Sequence, residues 1–275
     1  MKLLSKFLGL LVALTVLTPV LAKSNKCYSE KHCKEEVVKY VQWGARSPGK
    51  GTKKQPFATL VEAQASDWDV LIVLSSPFAL DFGITLKPGQ KLIGECNPTK
   101  GVSSTQPTIT NTQTTNNGNG VIVQGDATIK NIYFKNTNAS AINYDAGDNL
   151  VVEDVLISGF NQSTGSRSHI SGIQGTCTKS GETRVVNTII RNDNHGFAGI
   201  SDTTPSGSTN IHRELTICTC ELTGLTNLGI FTSPLGDITV SSNVVIKDIL
   251  YSSVTLNYDP IAIISSLSVC NGRLC

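Results

Sequence analysis

The chain has 275 residues, with 23 Lys and Arg against 21 Asp and Glu, four His and a formal net charge of +2. Charged residues make up 16% of it, below the roughly 25% of an average soluble protein, and Thr, Ser, Asn and Gly take their place. No basic cluster marks a nucleic-acid surface, so no nucleic-acid partner is expected.

Lys2 and Lys6 precede an apolar run, Leu8 to Leu17, and Val20-Leu-Ala22 supplies small residues for a cleavage site. That order is a secretory signal over 1–22. The run is too short for a membrane span and no second run reaches spanning length. The mature chain, 23–275, is therefore expected to be one exported domain without a transmembrane segment, extracellular or periplasmic. Losing the two signal lysines leaves it near neutral. Eight cysteines in an exported chain make disulfides expected, and about 105 pairings exist. Local pairs close the smallest loops: Cys27 with Cys33, and Cys270 with Cys275, each stapling a chain end. Cys218 and Cys220 are two apart in a strand pattern and so face one side, as a buried thiol pair.

Residues 23–68 form a leader and cap. Val37 to Val41 reads as a strand and Ser47-Pro-Gly-Lys-Gly-Thr52 as a loop of turn residues. Phe57 to Ala65 carries a short helical apolar face, placed to cover the open end of a stacked β structure. Asp69 to Leu74 is a strand, and Ile84 to Leu92 alternates around the turn Lys87-Pro-Gly-Gln90. Residues 97–120 are a polar excursion holding one strand, Thr108-Ile-Thr110. From Val121 regular strands run to the end, interrupted by turn segments at 162–168, 178–182, 202–210 and 225–235.

A motif recurs through the second half: an apolar residue, a spacer, usually an Asx, then alternating apolar residues. It appears at Ile129-Lys-Asn131-Ile-Tyr-Phe134, Val152-Glu-Asp154-Val-Leu-Ile157, Val185-Val-Asn187-Thr-Ile-Ile190, Leu215-Thr-Ile217-Cys-Thr-Cys220 and Ile246-Lys-Asp248-Ile-Leu-Tyr251. The anchors 131, 154, 187, 217 and 248 are 23, 33, 30 and 31 residues apart. A period of that size signals a solenoid, in which each repeat buries its apolar face only by stacking on its neighbours. Asn and Asp tolerate the left-handed conformation that a sharp bend needs, and stacked anchors can bond along the column. A weaker second column sits seven residues on, at Asn138, Asn161 and Asn194. Positions one and three after each anchor face the core. Position two, with Tyr133, Leu156, Ile189, Thr219 and Leu250, is more apolar than a bare solvent face needs, so it is either covered or a contact surface.

On these residues the chain resembles the right-handed parallel β-helix superfamily of pectate-lyase-like proteins. Gly49-Lys-Gly-Thr52…Pro56-Phe-Ala-Thr-Leu60…Glu62-Ala63 looks like the capping-helix segment of bacterial members. Leu86-Lys-Pro-Gly-Gln-Lys-Leu-Ile-Gly-Glu95 looks like an early coil, and Ile-x-Asn-Ile-x-Phe is similar to their tight Asn bend. The fold so implied is all-β: a single-stranded right-handed parallel β-helix with a short N-terminal capping helix.

That fold hosts lyases, hydrolases, esterases and adhesins, so it does not name an activity. The resemblance implies calcium held by several aspartates and an arginine base in lyase members, and an Asp-Asp pair with Gly-His-Gly in hydrolase members. The chain lacks the aspartate cluster, the Trp-x-Asp-His and Arg-x-Pro-x-x-Arg patterns and any Asp-Asp, and Asn194-His195-Gly196 matches only the last two residues of the histidine motif. No cofactor is expected, with calcium entering only for a lyase. One charged constellation remains, Arg191, Asp193, His195 and Glu221, with Arg191 expected to stack on Glu221 from the adjacent coil. It suits general acid–base work or an arginine set on a sugar carboxylate, or else a solvated ion pair. Glu153 and Asp154 are strand neighbours on opposite faces, Asp145 and Asp148 flank a turn, and His32, His169 and His212 are isolated. Asn138-Ala-Ser140 and Asn161-Gln-Ser163 are glycosylation acceptor sequences in a eukaryotic secretory route. The functional expectation is an adhesin-like, non-catalytic binder of a polysaccharide or cell-surface glycan. A divergent lyase or hydrolase and a structural envelope component stand beside it.

Overall fold

A computed structural model describes residues 35–95, 102–144, 149–162, 170–176, 178–192, 196–203, 213–225, 228–232, 236–240, 244–249, 262–264, 267–270 and 273–274. Glu36–Cys275 forms one compact unit. β1 (Val38–Val41) and α1 (Leu60–Gln64) come first. Coils of three short strands follow: β2 (Val70–Val73), β3 (Leu80–Asp81) and β4 (Ile84–Leu86); β5 (Lys91–Gly94), β6 (Thr108–Asn111) and β7 (Val121–Val123). The next are β8 (Ala127–Lys130), β9 (Tyr133–Thr137) and β10 (Ile142–Tyr144); β11 (Leu150–Glu153), β12 (Leu156–Ser158) and β13 (Ser171–Thr176). Then come β14 (Gly181–Val186), β15 (Ile189–Arg191) and β16 (Ala198–Thr203); β17 (Arg213–Cys218), β18 (Glu221–Leu225) and β19 (Leu228–Thr232). β20 (Gly236–Val240), β21 (Val244–Ile249), β22 (Ala262–Ile264), β23 (Leu267–Cys270) and β24 (Arg273–Leu274) complete the order.

Each coil contributes one strand to each of three sheets. Sheet A runs β1-β2-β5-β8-β11-β14-β17-β20, sheet B β3-β6-β9-β12-β15-β18-β21-β23-β24, and sheet C β4-β7-β10-β13-β16-β19-β22. Pairing is parallel up to β20 and β21 and turns antiparallel at β22, β23 and β24. This is a stacked parallel β-solenoid. The stack is continuous from the first coil, because β1 and β2 already belong to sheet A.

The interior is built from in-register columns. In sheet A, Leu71, Leu92, Ile129, Val152, Val185 and Ile217 stack rung on rung and are buried. Sheet B supplies Ile109, Phe134, Ile157, Ile190 and Leu222, and sheet C supplies Ile84, Val121, Ile142, Ile173, Ile200 and Ile230. Burying a side chain of this size contributes about 1.5–3 kcal/mol against chain entropy. Parallel pairing with both backbone edges used makes every rung depend on its neighbours. Glycine is required where a column meets a bulky neighbour: a Cβ at Gly175 would lie 2.3 Å from the Tyr144 ring.

The bend from sheet A to sheet B carries the Asx anchors. Asn131, Asp154 and Asn187 take φ of 55°, 55° and 46°, and their amides donate to Glu153, Val186 and Cys218 carbonyls of the next coil. Side chains add to the ladder. Asn131 Nδ2 donates to Gly94 O and Glu95 O at 3.1 and 2.8 Å, and Asn187 Nδ2 donates to Asp154 Oδ1. Gln106, from the polar excursion, donates through Nε2 to Asn131 Oδ1 and Asp154 O, tying two rungs together.

The fourth anchor differs from the sequence expectation. Cys218 pairs with Val186, the residue before an anchor, and Thr219 has φ of 52°. The bend is therefore at Thr219, not Ile217, and Ile217 belongs to the buried column of sheet A. Asp248 is likewise no anchor, because it lies inside β21. Cys218 and Cys220 flank the bend instead of sharing a strand. Cys218 continues the outward column of Lys130, Glu153 and Val186 and is half-buried, while Cys220 is buried, and neither is in a disulfide. Burial pushes the Cys220 thiol up to about 12. The second Asn column is also irregular. Asn161 has φ of 58°, but Asn136, not Asn138, is left-handed in the coil before, and Asn194 lies outside the described residues.

α1 spans five residues, Leu60 to Gln64, with Leu60 and Ala63 buried. Thr59 Oγ1 accepts from the Glu62 amide as N-cap. The Glu62 carboxylate accepts from the Ala58 and Gly49 amides and from the Ser47 hydroxyl. The Ser47 bond is the largest reason that Glu62 sits below the usual carboxylate range. Gln64 Oε1 accepts from the Thr85 amide, joining α1 to β4.

Candidate functional site: the outward face of sheet B

Beside the buried column Phe134–Ile157–Ile190–Leu222, alternation turns the flanking residues outward. Two outward columns result. The first is Tyr133, Leu156, Ile189 and Glu221, in register. The second is Lys135, Ser158, Arg191 and Thr223, in register. Lys135 and Arg191 are exposed, and Ser158 and Thr223 are half-buried. The Tyr133 hydroxyl and Ser158 Oγ are 2.7 Å apart, which fixes the ring against the second column. Leu156 is 1% exposed although it points away from the core, so the apolar column is partly covered. Thr108 extends that column beneath Tyr133, and at the first-coil end Asp81 accepts from the Thr112 amide and hydroxyl.

The other two faces pair or bond several of their outward groups locally. On sheet A, Lys130 and Glu153 pair across adjacent rungs and Lys91 pairs with Glu36 at 2.6 Å. On sheet C the outward column is Ile122, Asn143, Gln174 and Ser201, and Gln174 Oε1 accepts from Ser140 Oγ and the Ser171 amide. Among the described residues, sheet B lines up two outward cations in one column, Lys135 and Arg191, neither paired with a carboxylate, and sheet A presents a single one, Arg184.

The expected stacking of Arg191 on Glu221 does not occur. Arg191 pairs with Thr223, and Glu221 pairs with Ile189. The cause is the two-residue displacement of the bend to Thr219, which moves every later position of that coil by two. Both side chains are still on one face, one column apart. Asp193 and His195 lie outside the described residues, as do Cys27, Cys33, Cys275, Asp145, Asp148, His32, His169, His212 and the signal segment 1–22. Cys270 is in β23, paired with Arg273. Among the described residues no group of three or more His, Cys, Asp and Glu could hold a metal ion. No helix among them is long and apolar enough to cross a membrane.

Sequence reasoning missed Lys135, Ser158 and Thr223. Their signal is the fourth position after each left-handed residue, which reads Lys135, Ser158, Arg191 and Thr223 once Thr219 is the anchor. It also missed a second exposed feature: Trp43 and Phe78, 44% and 58% exposed, with ring centroids 4.5 Å apart. No known protein family, curated protein or solved structure matches this chain.

Proposed function

We propose that this chain is an exported, non-catalytic parallel β-helix that binds a polysaccharide or cell-surface glycan. The finer architecture belongs to the same reading: a right-handed coil, as nearly all parallel crossovers are, with α1 covering the first-coil end. The observation that carries the function is the outward face of sheet B. Its side chains form straight columns on a backbone whose hydrogen bonds are already used. The half-buried Tyr133 and Ile189, with the covered Leu156 between them, run beside a column of hydroxyls and cations (Ser158, Thr223, Lys135, Arg191). Pyranose rings have apolar faces and polar rims, so paired columns of this kind suit a sugar chain lying along the coil axis. A preformed face also pays little ordering entropy on binding.

The test is a glycan array on the purified protein, followed by calorimetry on the strongest ligand, with product analysis with and without calcium. Saturable binding without turnover supports the reading. Turnover abolished by Arg191→Ala or Glu221→Ala replaces it with an enzyme. No binding to any glycan, in protein shown to be folded by circular dichroism, refutes it.

A further inference from the structure

Resting on the glycan-binding reading, we infer that the outward face of sheet B takes a linear acidic polysaccharide whose anionic group recurs at every second sugar. The second outward column alternates in charge by rung: Lys135, Ser158, Arg191, Thr223. Neighbouring rungs are one strand spacing apart, so successive cations stand two spacings apart, about 9.6 Å. An extended pyranose chain in a two-fold ribbon presents the same ring edge at every second residue, and that repeat is close to two strand spacings. A carboxylate or sulfate on alternate sugars then meets Lys135 and Arg191 in turn. The intervening sugar meets the Ser158 hydroxyl. A guanidinium on a carboxylate can bond through two N–H groups, which gives direction as well as attraction.

The charges around the column agree with this assignment. Lys135 and Arg191 are exposed and pair with no carboxylate among the described residues. Glu221 lies in the adjacent column on the Thr223 rung, one column removed from the line of cations. Asp81 lies two rungs before Lys135, by way of the Thr110 rung, and both its oxygens are occupied by Thr112. It marks the end of the cationic stretch. A ligand with an anion on every sugar would place every other anion against a hydroxyl rung without a cation, and a neutral ligand would leave both cations unused.

The experiment is calorimetric titration of the full chain with hyaluronan oligosaccharides (one carboxylate per disaccharide), oligogalacturonate (one per sugar) and a neutral β-1,4-glucan oligosaccharide. Variants are Lys135→Gln, Arg191→Gln, their double, and Arg184→Gln, an exposed arginine on sheet A. The expectation is strongest binding of the disaccharide-repeat acid. Lys135→Gln and Arg191→Gln should each weaken it about five-fold, the double more, and Arg184→Gln not at all. Equal losses in Arg184→Gln would show diffuse charge attraction and overturn the proposal. Preference for oligogalacturonate or the neutral glucan would overturn it while leaving the glycan-binding reading in place. Undiminished hyaluronan binding in the double variant would do the same. Failure to bind any of the three, with no binder on the wider array, would remove the glycan reading itself.

Discussion

Asn131 tests the bend chemistry. Its φ of 55° requires a residue that tolerates the left-handed region, and its side chain makes three bonds: to Gly94 O, to Glu95 O and from Gln106 Nε2. Asn131→Gly keeps the backbone conformation and deletes the bonds. At about 1 kcal/mol each, softened by water at a half-buried site, the loss is about 2–3 kcal/mol. Asn131→Ala deletes the same bonds and forces a Cβ into the left-handed region, at about 1–2 kcal/mol. Against that, alanine restricts the unfolded chain more than glycine and recovers about 0.4–1 kcal/mol. Asn131→Ala should therefore be the less stable of the two by about 0.5–1 kcal/mol. Urea unfolding followed by circular dichroism and by emission of the buried Trp68 measures both, with an unchanged m-value confirming a common unfolded state. An alanine variant as stable as the glycine variant would refute the conformational part of the reasoning. Losses under about 0.5 kcal/mol in both would refute the ladder as a source of stability.

Thr219 is a β-branched residue at φ 52°, so Thr219→Asn should raise stability by about 1 kcal/mol in the same urea assay, and a fall would place the bend elsewhere. Cys220 has its thiol raised from 9.0 to about 12 by burial. The unfolded state loses that proton first, so the stability it protects is present below pH 9 and declines through the window to pH 12, by at most about 4 kcal/mol. The unfolding midpoint of the parent should fall relative to that of Cys220→Val across that window, and parallel curves would contradict the burial. Asn138 should remain unmodified in a glycosylating host, as read by peptide mass spectrometry. Its amide donates to Thr112 O and Gln113 O, and Ser140 is 1% exposed with its hydroxyl on Gln174; a glycan on Asn138 would contradict those contacts.

Much of the solenoid was legible because its columns obey two local rules. Buried residues alternate along each strand, and only Gly, Asn and Asp enter the left-handed region cheaply, so Asn131, Asp154 and Asn187 announce the bend. Thr219 breaks the second rule. The pattern Leu215-Thr-Ile217-Cys-Thr-Cys220 then fits two registers, because a slip of two residues leaves inward and outward positions unchanged. Tertiary pairing settled it: Val186 aligns with Cys218 and the bend follows. The same slip hid the partner of Arg191. Lys135 was invisible for a different reason. A single lysine on a strand carries no message, and its alignment with Ser158 and Arg191 depends on coils of unequal length, 23 and 33 residues, that no local pattern brings into register.

The three outward faces answer the question of whether the cation column is merely a way of keeping a sheet soluble. Like charges on adjacent rungs repel, and a solenoid must avoid stacking them. Sheet A does so chiefly by opposing signs, with Lys130 against Glu153, and leaves one cation, Arg184, unpaired. Sheet C avoids charge in its outward column, where Gln174 bonds to Ser140 and to the Ser171 amide. Sheet B does neither. It spaces Lys135 and Arg191 by a hydroxyl rung and gives them no carboxylate on the same column. Spacing prevents repulsion as well as pairing does, but it leaves the cations available. Sheet B is the face that lines up two unpaired cations in one column, and it is also the one where Tyr133 and Ile189 stand beside them. Charge left available beside an apolar strip, at a fixed two-rung interval, is the combination that recognises an extended polyanion with an apolar side.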